Sequence, residues 1–219
     1  MEHIMLRILL ADDHDVVRRG LRDQLNQHEG WEVCGEASNG REAVNLALKL
    51  KPDVVVLDLS MPELNGLEAT RQIRQELPRT EVLIFTMHET EQLIREVLSA
   101  GARGYVLKSD AARHLTSAVE ALSHHKPFFT AKVSQALLDA FLNSESKPDE
   151  CSAFRTLTNR EREIVQMLAE GKSNKEIANT LSISVKTVET HRATVMRKLE
   201  INSIVELVHY AIRNQLVQA

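Results

Sequence analysis

Between residues 6 and 123 the hydrophobic pattern alternates between two periods. Leu6–Ala11 is a short, nearly continuous apolar run, the signature of a strand buried on both faces. His14–Gln27 repeats at helical spacing and puts Val16, Val17, Leu21 and Leu25 on one inward face. The alternation then recurs. Glu32–Ala37 reads as a strand, and Arg41–Leu50 as a helix that Pro52 stops. Asp53-Val-Val-Val-Leu-Asp58 reads as a buried strand closed by a carboxylate, and Leu64–Leu77 as a helix ending at Pro78. Glu81–Thr86 is a further strand, followed by a helix over Glu89–Ala100 with Gly101 as its C-cap. Gly104–Lys108 is the fifth strand. Asp110–Ser123 is the fifth helix, with Ser109 or Asp110 as its N-cap and His124-His125 at the end where cationic character suits the dipole.

Five strands alternating with five helices predict an α/β fold with helices on both faces of a parallel sheet. Right-handed crossovers leave few topologies, and the flavodoxin-like order 2-1-3-4-5 is the natural one for a (βα)5 chain. Beyond residue 125 the pattern changes. Pro127 interrupts it, Thr130–Leu142 fits a short amphipathic helix, and Asn143–Glu150 is polar and aperiodic, as a linker is. Residues 158–216 hold helical patterns only. Thr158 and Glu161 form a capping box, Asn174–Leu181 is short, Ser182-Ile-Ser184 is a tight turn, Val185–Leu199 follows, and Ser203 caps a last helix to about Gln215. This small all-α four-helix unit has the helix-turn-helix layout. The expected division is a first domain over 1–125, a linker over 126–156 with a helix at 130–142, and a second domain over 157–219.

Charge sharpens this division. The net charge is −4, yet residues 151–219 carry ten Lys and Arg against seven Asp and Glu, leaving seventeen against twenty-four for residues 1–150. A basic part behind an acidic part suits a polyanion partner for the former and a cation site in the latter. No apolar run reaches the roughly 20 residues of a membrane span. The N-terminus enters a strand pattern directly rather than reading as a secretory signal. The two cysteines, Cys34 and Cys151, form neither a disulfide framework nor a metal spacing, so a cytoplasmic setting is expected.

The candidate chemistry sits at the strand ends, where ligands bind in open parallel sheets. Asp12 and Asp13 end strand 1, Asp58 ends strand 3, Thr86 ends strand 4 and Lys108 ends strand 5. A strand-end Asp taken alone is ordinarily a loop cap. Three carboxylates on neighbouring strands repel one another unless a cation joins them, and Mg²⁺ suits a few carboxylate oxygens beside a phosphate. A hydroxyl and a lysine complete a phosphoryl-transfer site in which Asp58 is the nucleophile.

At these residues the chain resembles the receiver domain of two-component response regulators, over residues 6–123. The resemblance implies that Asp58 accepts phosphate from a sensor histidine kinase. It further implies that Asp13, Asp58 and the Ser60 backbone carbonyl ligate Mg²⁺, with Asp12 acting through water. Thr86 and Lys108 then bind the phosphoryl group, and Tyr105 is the switch aromatic. Ser60 and His88 occupy the positions that tune dephosphorylation. The added charge would turn Thr86 inward and let Tyr105 follow, changing the surface of the fourth helix, fifth strand and fifth helix.

Leu157-Thr-Asn-Arg160-Glu161-Arg-Glu163, Gly171-Lys-Ser-Asn174-Lys-Glu-Ile177-Ala178 and Val185-Lys-Thr187-Val188-Glu-Thr-His191-Arg192 resemble the LuxR-type (NarL/FixJ) DNA-binding domain, over about 155–217. The resemblance implies that Val185–Leu199 is the recognition helix, that Glu189, Thr190 and Ala193 face bases, and that Ser203–Gln215 helps a homodimer form on double-stranded DNA. In some members of this family the unphosphorylated receiver covers the recognition helix, which the charge split would permit here. Helical arithmetic places Val188, Val195, Met196 and Leu199 on one face, with Lys186, Thr190, Ala193 and Arg197 opposite. Lys186, Thr187, His191, Arg197 and Lys198 are candidate phosphate contacts, although a solvated face is the ordinary meaning of such charges. Arg192 falls on the apolar side and is expected to pair with an acid such as Glu161.

The expected protein is therefore a phosphorylation-controlled transcriptional regulator and not an enzyme. Two rivals are a phosphorylation-independent regulator with a vestigial receiver and a Mg²⁺-dependent phosphohydrolase using Asp58.

Overall fold

The computed structural model describes residues 5–131, 133–135, 138, 157–214 and 216–217. These fall into two compact units. Of the helix expected over 130–142, residues 131, 133–135 and 138 are helical, and most of the remainder lies outside the described residues, as does the linker to residue 156.

In the first unit β1 (Leu6–Ala11), β2 (Trp31–Ala37), β3 (Val54–Leu57), β4 (Glu81–Thr86) and β5 (Gly104–Leu107) alternate with α1 (Asp15–Leu25), α2 (Gly40–Leu50), α3 (Gly66–Glu76), α4 (Glu91–Ser99) and α5 (Ala111–Ser123). All pairings are parallel, and the order is the one expected, with one addition: β6 (Phe128–Phe129) pairs with β5. Pro127 ends the helical pattern but favours extended backbone at its neighbours. The Phe128 N–H donates to the Arg103 carbonyl at 2.9 Å, so two aromatic residues cover an otherwise open sheet edge.

The central strands are apolar on both faces because both faces are covered. Ile8, Leu10, Val54, Val56, Leu83, Phe85 and Val106 pack with Leu21 and Leu25 of α1 and with Leu115, Val119 and Leu122 of α5. The alternate residues Leu9, Val55, Leu57 and Ile84 are equally buried. Val16 departs from expectation and is 84% exposed. The inward stripe of α1 follows four-residue steps through Val17, Leu21 and Leu25, and Val16 lies about 100° off it. Asp110 occupies the N-cap position of α5 without a side-chain bond, because a one-turn 3-10 segment over Lys108–Asp110 precedes the helix. At the other end of α5, His124 Nδ1 lies 2.8 Å from the Glu120 carbonyl, and His125 takes a left-handed φ of 57° with Nδ1 2.9 Å from the buried Glu81 carboxylate.

The second unit contains α6 (Asn159–Ala169), α7 (Asn174–Thr180), α8 (Val185–Lys198) and α9 (Ile204–Arg213). Thr158 and Glu161 form the expected capping box, and Ser173 with Glu176 forms another at α7. Ser184 and Ser203 cap α8 and α9. Leu157, Ile164, Leu168, Ile177, Val188, Val195, Leu207 and Ala211 make one core. Among the described residues no helix is long and apolar enough to cross a membrane.

Candidate phosphoryl-transfer site and nucleic-acid interface

Strand register brings the first site together. Ala11 is level with Leu57, and the Asp58 N–H donates to the Ala11 carbonyl at 2.8 Å, which sets Asp12 and Asp58 side by side. Thr86 is level with Leu107 across β4 and β5, so Lys108 emerges beside Thr86. Asp12 and Asp58 are almost wholly buried, while Asp13 is more open. The Lys108 ammonium bridges the two buried acids, donating to Asp58 Oδ2 at 2.8 Å and standing 2.7 Å from Asp12 Oδ2. It also lies 6.0 Å from the centre of the Phe85 ring.

The energetics of this cluster are opposed. Burial raises the Asp58 carboxyl above the usual range; Lys108 pulls it down, and Asp12 and Asp13 push it up again. Burial would lower the Lys108 ammonium, but Asp12 and Asp58 outweigh it and hold the group above its ordinary value. Three carboxylates against one ammonium leave a net negative, partly desolvated pocket. Asp12 Oδ2 is buried, with the Lys108 ammonium 2.7 Å away. A small hard cation fits this donor set, and Asp13, Asp58 and the Ser60 carbonyl would hold it with Asp12 behind.

Thr86 is fully buried, and its Oγ1 accepts from the His88 N–H at 3.2 Å. The Tyr105 hydroxyl donates to the His88 carbonyl at 2.6 Å, and the His88 ring Nε2 lies 3.2 Å from Ser60 Oγ. Residue 88 thus ties the ends of β3, β4 and β5 together, two of these links running through its backbone. Tyr105 has no exposed surface in this conformation, and burial, then Glu89, pushes its phenol well above the ordinary range. The expectation that Tyr105 follows Thr86 inward therefore meets a ring that is already in, with its hydroxyl engaged.

Three further residues shape this site. The His14 ring Nδ1 sits 2.7 Å from Asp13 Oδ1 and 3.4 Å from Asp12 Oδ1. Arg18 donates from Nη1 to the Asp12 carbonyl at 2.7 Å and also pairs with Asp15. Gly66 lies against the Asp58 peptide, where a Cβ would meet the Asp58 carbonyl oxygen at 2.0 Å. The position of His14 directly after the acid pair was the available signal; for Arg18 and Gly66 only the folded loops reveal the contact.

In the second unit Lys186, Glu189, Thr190, Ala193 and Arg197 form the exposed face of α8, as the periodicity predicts. His191 is half-buried. The Thr187 hydroxyl lies 2.8 Å from Ser184 Oγ within the N-cap, and the Thr190 hydroxyl donates to the Lys186 carbonyl at 2.9 Å. Arg192 is half-buried, but the partner of Glu161 is Lys198, whose Nζ donates to Glu161 Oε2 at 2.7 Å. Glu161 lies opposite the last turn of α8, and Arg192 is six residues, about 9 Å, too early to be its partner there. Burial alone would raise the Glu161 carboxyl, but Lys198 and the Thr158 N–H hold it below its ordinary value. The pair therefore stabilises this unit above the usual Glu range, and that stability is lost as pH falls through the lowered folded value.

Lys198→Met should cost this unit about 1 kcal/mol, discounted for the partial exposure of Lys198. The dependence of DNA affinity on salt should stay unchanged, whereas Arg197→Met should reduce that slope by about one. Salt titrations of DNA binding beside urea unfolding check both; a lowered slope for Lys198→Met would return that residue to the phosphate contacts.

Comparison with known proteins agrees with both units. Residues 8–120 match the response regulator receiver domain, and residues 155–211 match the luxR family of bacterial regulatory proteins. The chain belongs to the response regulators. This response regulator is 41% identical over 218 residues to the oxygen regulatory protein NreC of Staphylococcus epidermidis, covering 97% of this chain and 100% of that one. It is 39% identical over 213 residues to the transcriptional regulatory protein LiaR of Bacillus subtilis, with 97% and 100% covered. Among solved structures, RcsB of Salmonella enterica serovar Typhimurium, bound to promoter P1flhDC in the presence of phosphomimetic BeF3−, is similar at a TM-score of 0.60 and 29% identity, over 94% of this chain and 97% of that one. The architecture is thus a receiver joined to a LuxR-type DNA-binding domain, the build of a DNA-binding two-component regulator rather than of a conventional enzyme.

Proposed function

We propose that Asp58 accepts a phosphoryl group from a sensor histidine kinase and that the resulting aspartyl phosphate controls dimeric DNA binding by the C-terminal unit. The Lys108 ammonium, held between Asp58 and Asp12, is the observation that carries this reading. An Asp58 oxygen attacks phosphorus in line, the bond from phosphorus to the donor's imidazole nitrogen breaks, and the imidazole leaves. Bound Mg²⁺ would neutralise charge on the transferring oxygens. Lys108 moves its hydrogen bond from Asp58 to a phosphoryl oxygen, a point charge already in place. Thr86 redirects its hydroxyl from the His88 N–H side toward the phosphate. With Tyr105 already inward, phosphorylation locks that position rather than creating it, a shift of population toward one arrangement of the β4–α4 loop.

In this reading residues 1–125 are the receiver, 126–156 the connection and 157–219 the DNA-binding domain, in a cytoplasmic protein. Lys186, Thr187, His191 and Arg197 contact phosphates. Glu189, Thr190 and Ala193 face bases, where Glu accepts from cytosine and the small residues meet a thymine methyl. The homodimer reads half-sites about one helical turn, or a multiple, apart.

A gel shift with and without a small phosphodonor and Mg²⁺ tests this. Affinity for target DNA should rise about 5- to 150-fold on phosphorylation. Unchanged affinity in a phosphorylated sample would favour a vestigial receiver, and steady turnover of a phosphate ester would favour a hydrolase.

Tyr105→Phe tests the bond to the backbone of residue 88. Loss of the hydroxyl leaves a part-buried carbonyl short of a donor, and receiver stability should fall by about 1 kcal/mol. Thermal unfolding reads this, and an unchanged midpoint would mean the bond contributes nothing.

A further inference from the structure

We infer that His14 supplies a nitrogen donor to the cation site of the receiver, so that the site favours Mn²⁺ over Mg²⁺ more strongly than its carboxylates alone would. This rests on the reading of Asp12, Asp13 and Asp58 as a divalent-cation site. The donor atoms of Asp12, Asp13, His14 and Asp58 all lie within 4.8 Å of one another. His14 Nδ1 stands 2.7 and 3.4 Å from one oxygen each of Asp13 and Asp12. Two ligands at right angles around an ion with bonds of about 2.1 Å stand about 3.0 Å apart, a spacing these two distances bracket. The His14 backbone is already fixed, because its N–H donates to Asp12 Oδ1 at 2.9 Å. Its ring takes no part in the helix cap: His14 is the N-cap residue of α1, yet its side chain makes no capping bond and turns Nδ1 toward Asp13 and Asp12 instead. The far oxygen of Asp12, Oδ2, is taken by the Lys108 ammonium at 2.7 Å, which leaves Asp12 Oδ1 and Asp13 Oδ1 on the side of the ring.

The chemistry follows from the donor type. Mg²⁺ is a hard ion that prefers oxygen and keeps its waters, so an imidazole adds little to its binding. Imidazole nitrogen suits the later first-row ions, whose affinities rise from Mn²⁺ upward. Asp13 accepts the ring's remaining hydrogen-bonding interest only until an ion takes its place, since both use Nδ1 and Oδ1.

The test uses the full-length protein with Mn²⁺ as the probe. Pulsed electron paramagnetic resonance of the bound ion should show nitrogen modulation from one imidazole. His14→Gln should abolish that modulation and weaken Mn²⁺ about 5- to 10-fold, while Mg²⁺, measured by competition, weakens less than about 2-fold. His88→Gln, which alters the other imidazole near Ser60, should keep the modulation. Bound Mn²⁺ without nitrogen modulation, modulation lost in His88→Gln instead, or equal weakening of both ions in His14→Gln would each overturn the inference. Asp58→Ala separates the two levels: Mn²⁺ binding that depends on Asp58 but shows no imidazole overturns only the role of His14, whereas the absence of saturable Mn²⁺ binding overturns the cation site itself and this inference with it.

Discussion

Asp58→Asn should incorporate no phosphate from a small phosphodonor and, without added metal at pH 7, should unfold at a higher temperature than the wild-type chain. The first effect follows from removing the nucleophilic oxygen: an amide does not form the acyl phosphate. The second follows from the electrostatics of the same pocket. The carboxyl of Asp58 is raised in the folded state, first by burial and then by Asp12 and Asp13, with Lys108 only partly compensating. A raised acid favours the folded state most when protonated. Its contribution is therefore present below the unfolded value and lost as pH rises through the folded one, so at pH 7 the ionised group works against folding. Asparagine keeps the shape and an acceptor for Lys108 while removing the charge. The gain should be about 1 kcal/mol, or roughly 4 °C, and should shrink as pH falls through the raised folded value, where Asp58 itself becomes protonated. Intact-mass measurement and thermal scans across pH give both readouts. A variant that still gains phosphate would sink the assignment of Asp58. One destabilised at pH 7 would show that its pairing with Lys108 (2.8 Å) outweighs the desolvation of the charge.

Gly66→Ala should destabilise the receiver by about 3 kcal/mol and slow phosphorylation at the unchanged Asp58. Two effects compete at this position. Gly66 begins α3, where alanine is intrinsically better by up to about 1 kcal/mol. Against that, an added methyl would stand 2.0 Å from the Asp58 carbonyl oxygen and 2.9 Å from Leu59 Cα, both backbone atoms that no rotamer change moves aside. The clash wins. Relieving it must also stretch the bond that the Gly66 N–H donates to the Leu59 carbonyl at 2.9 Å. Because the displaced peptide is that of Asp58, the defect reaches the acceptor oxygen as well as the fold. Urea unfolding alongside phosphorylation rates checks this, and stability at or above wild type would show that the loop yields easily.

Much of this was legible along the chain because each strand and helix carries its own period. The order of the sheet followed from connection rules, and the register of Ala11 with Leu57 then placed Asp12 beside Asp58. What was not legible depended on partners distant in sequence. Val16 looks inward by composition, but which stripe of α1 meets the sheet is decided by Leu21 and Leu25. Phe128 and Phe129 form too short a run to declare a strand until β5 offers its edge. Glu161 chose Lys198 over Arg192 because of how far along α8 it lies, a distance the helical wheel discards. His14 stands directly after the acid pair, but only the folded loop shows its ring against Asp13. The tie from Tyr105 to residue 88 could not be read at all, since a carbonyl has no letter.

That tie also bears on how such a regulator is retuned. Thr86 and Tyr105 both grip the backbone of residue 88, while the imidazole of the same residue meets Ser60. Any amino acid other than proline preserves the first two bonds. The side chains at 60 and 88 are therefore free to drift together without cutting the connection between Thr86 and Tyr105. On the proposed function, with residues 60 and 88 at the positions that tune dephosphorylation, how long a signal lasts and whether it is transmitted become separately adjustable traits.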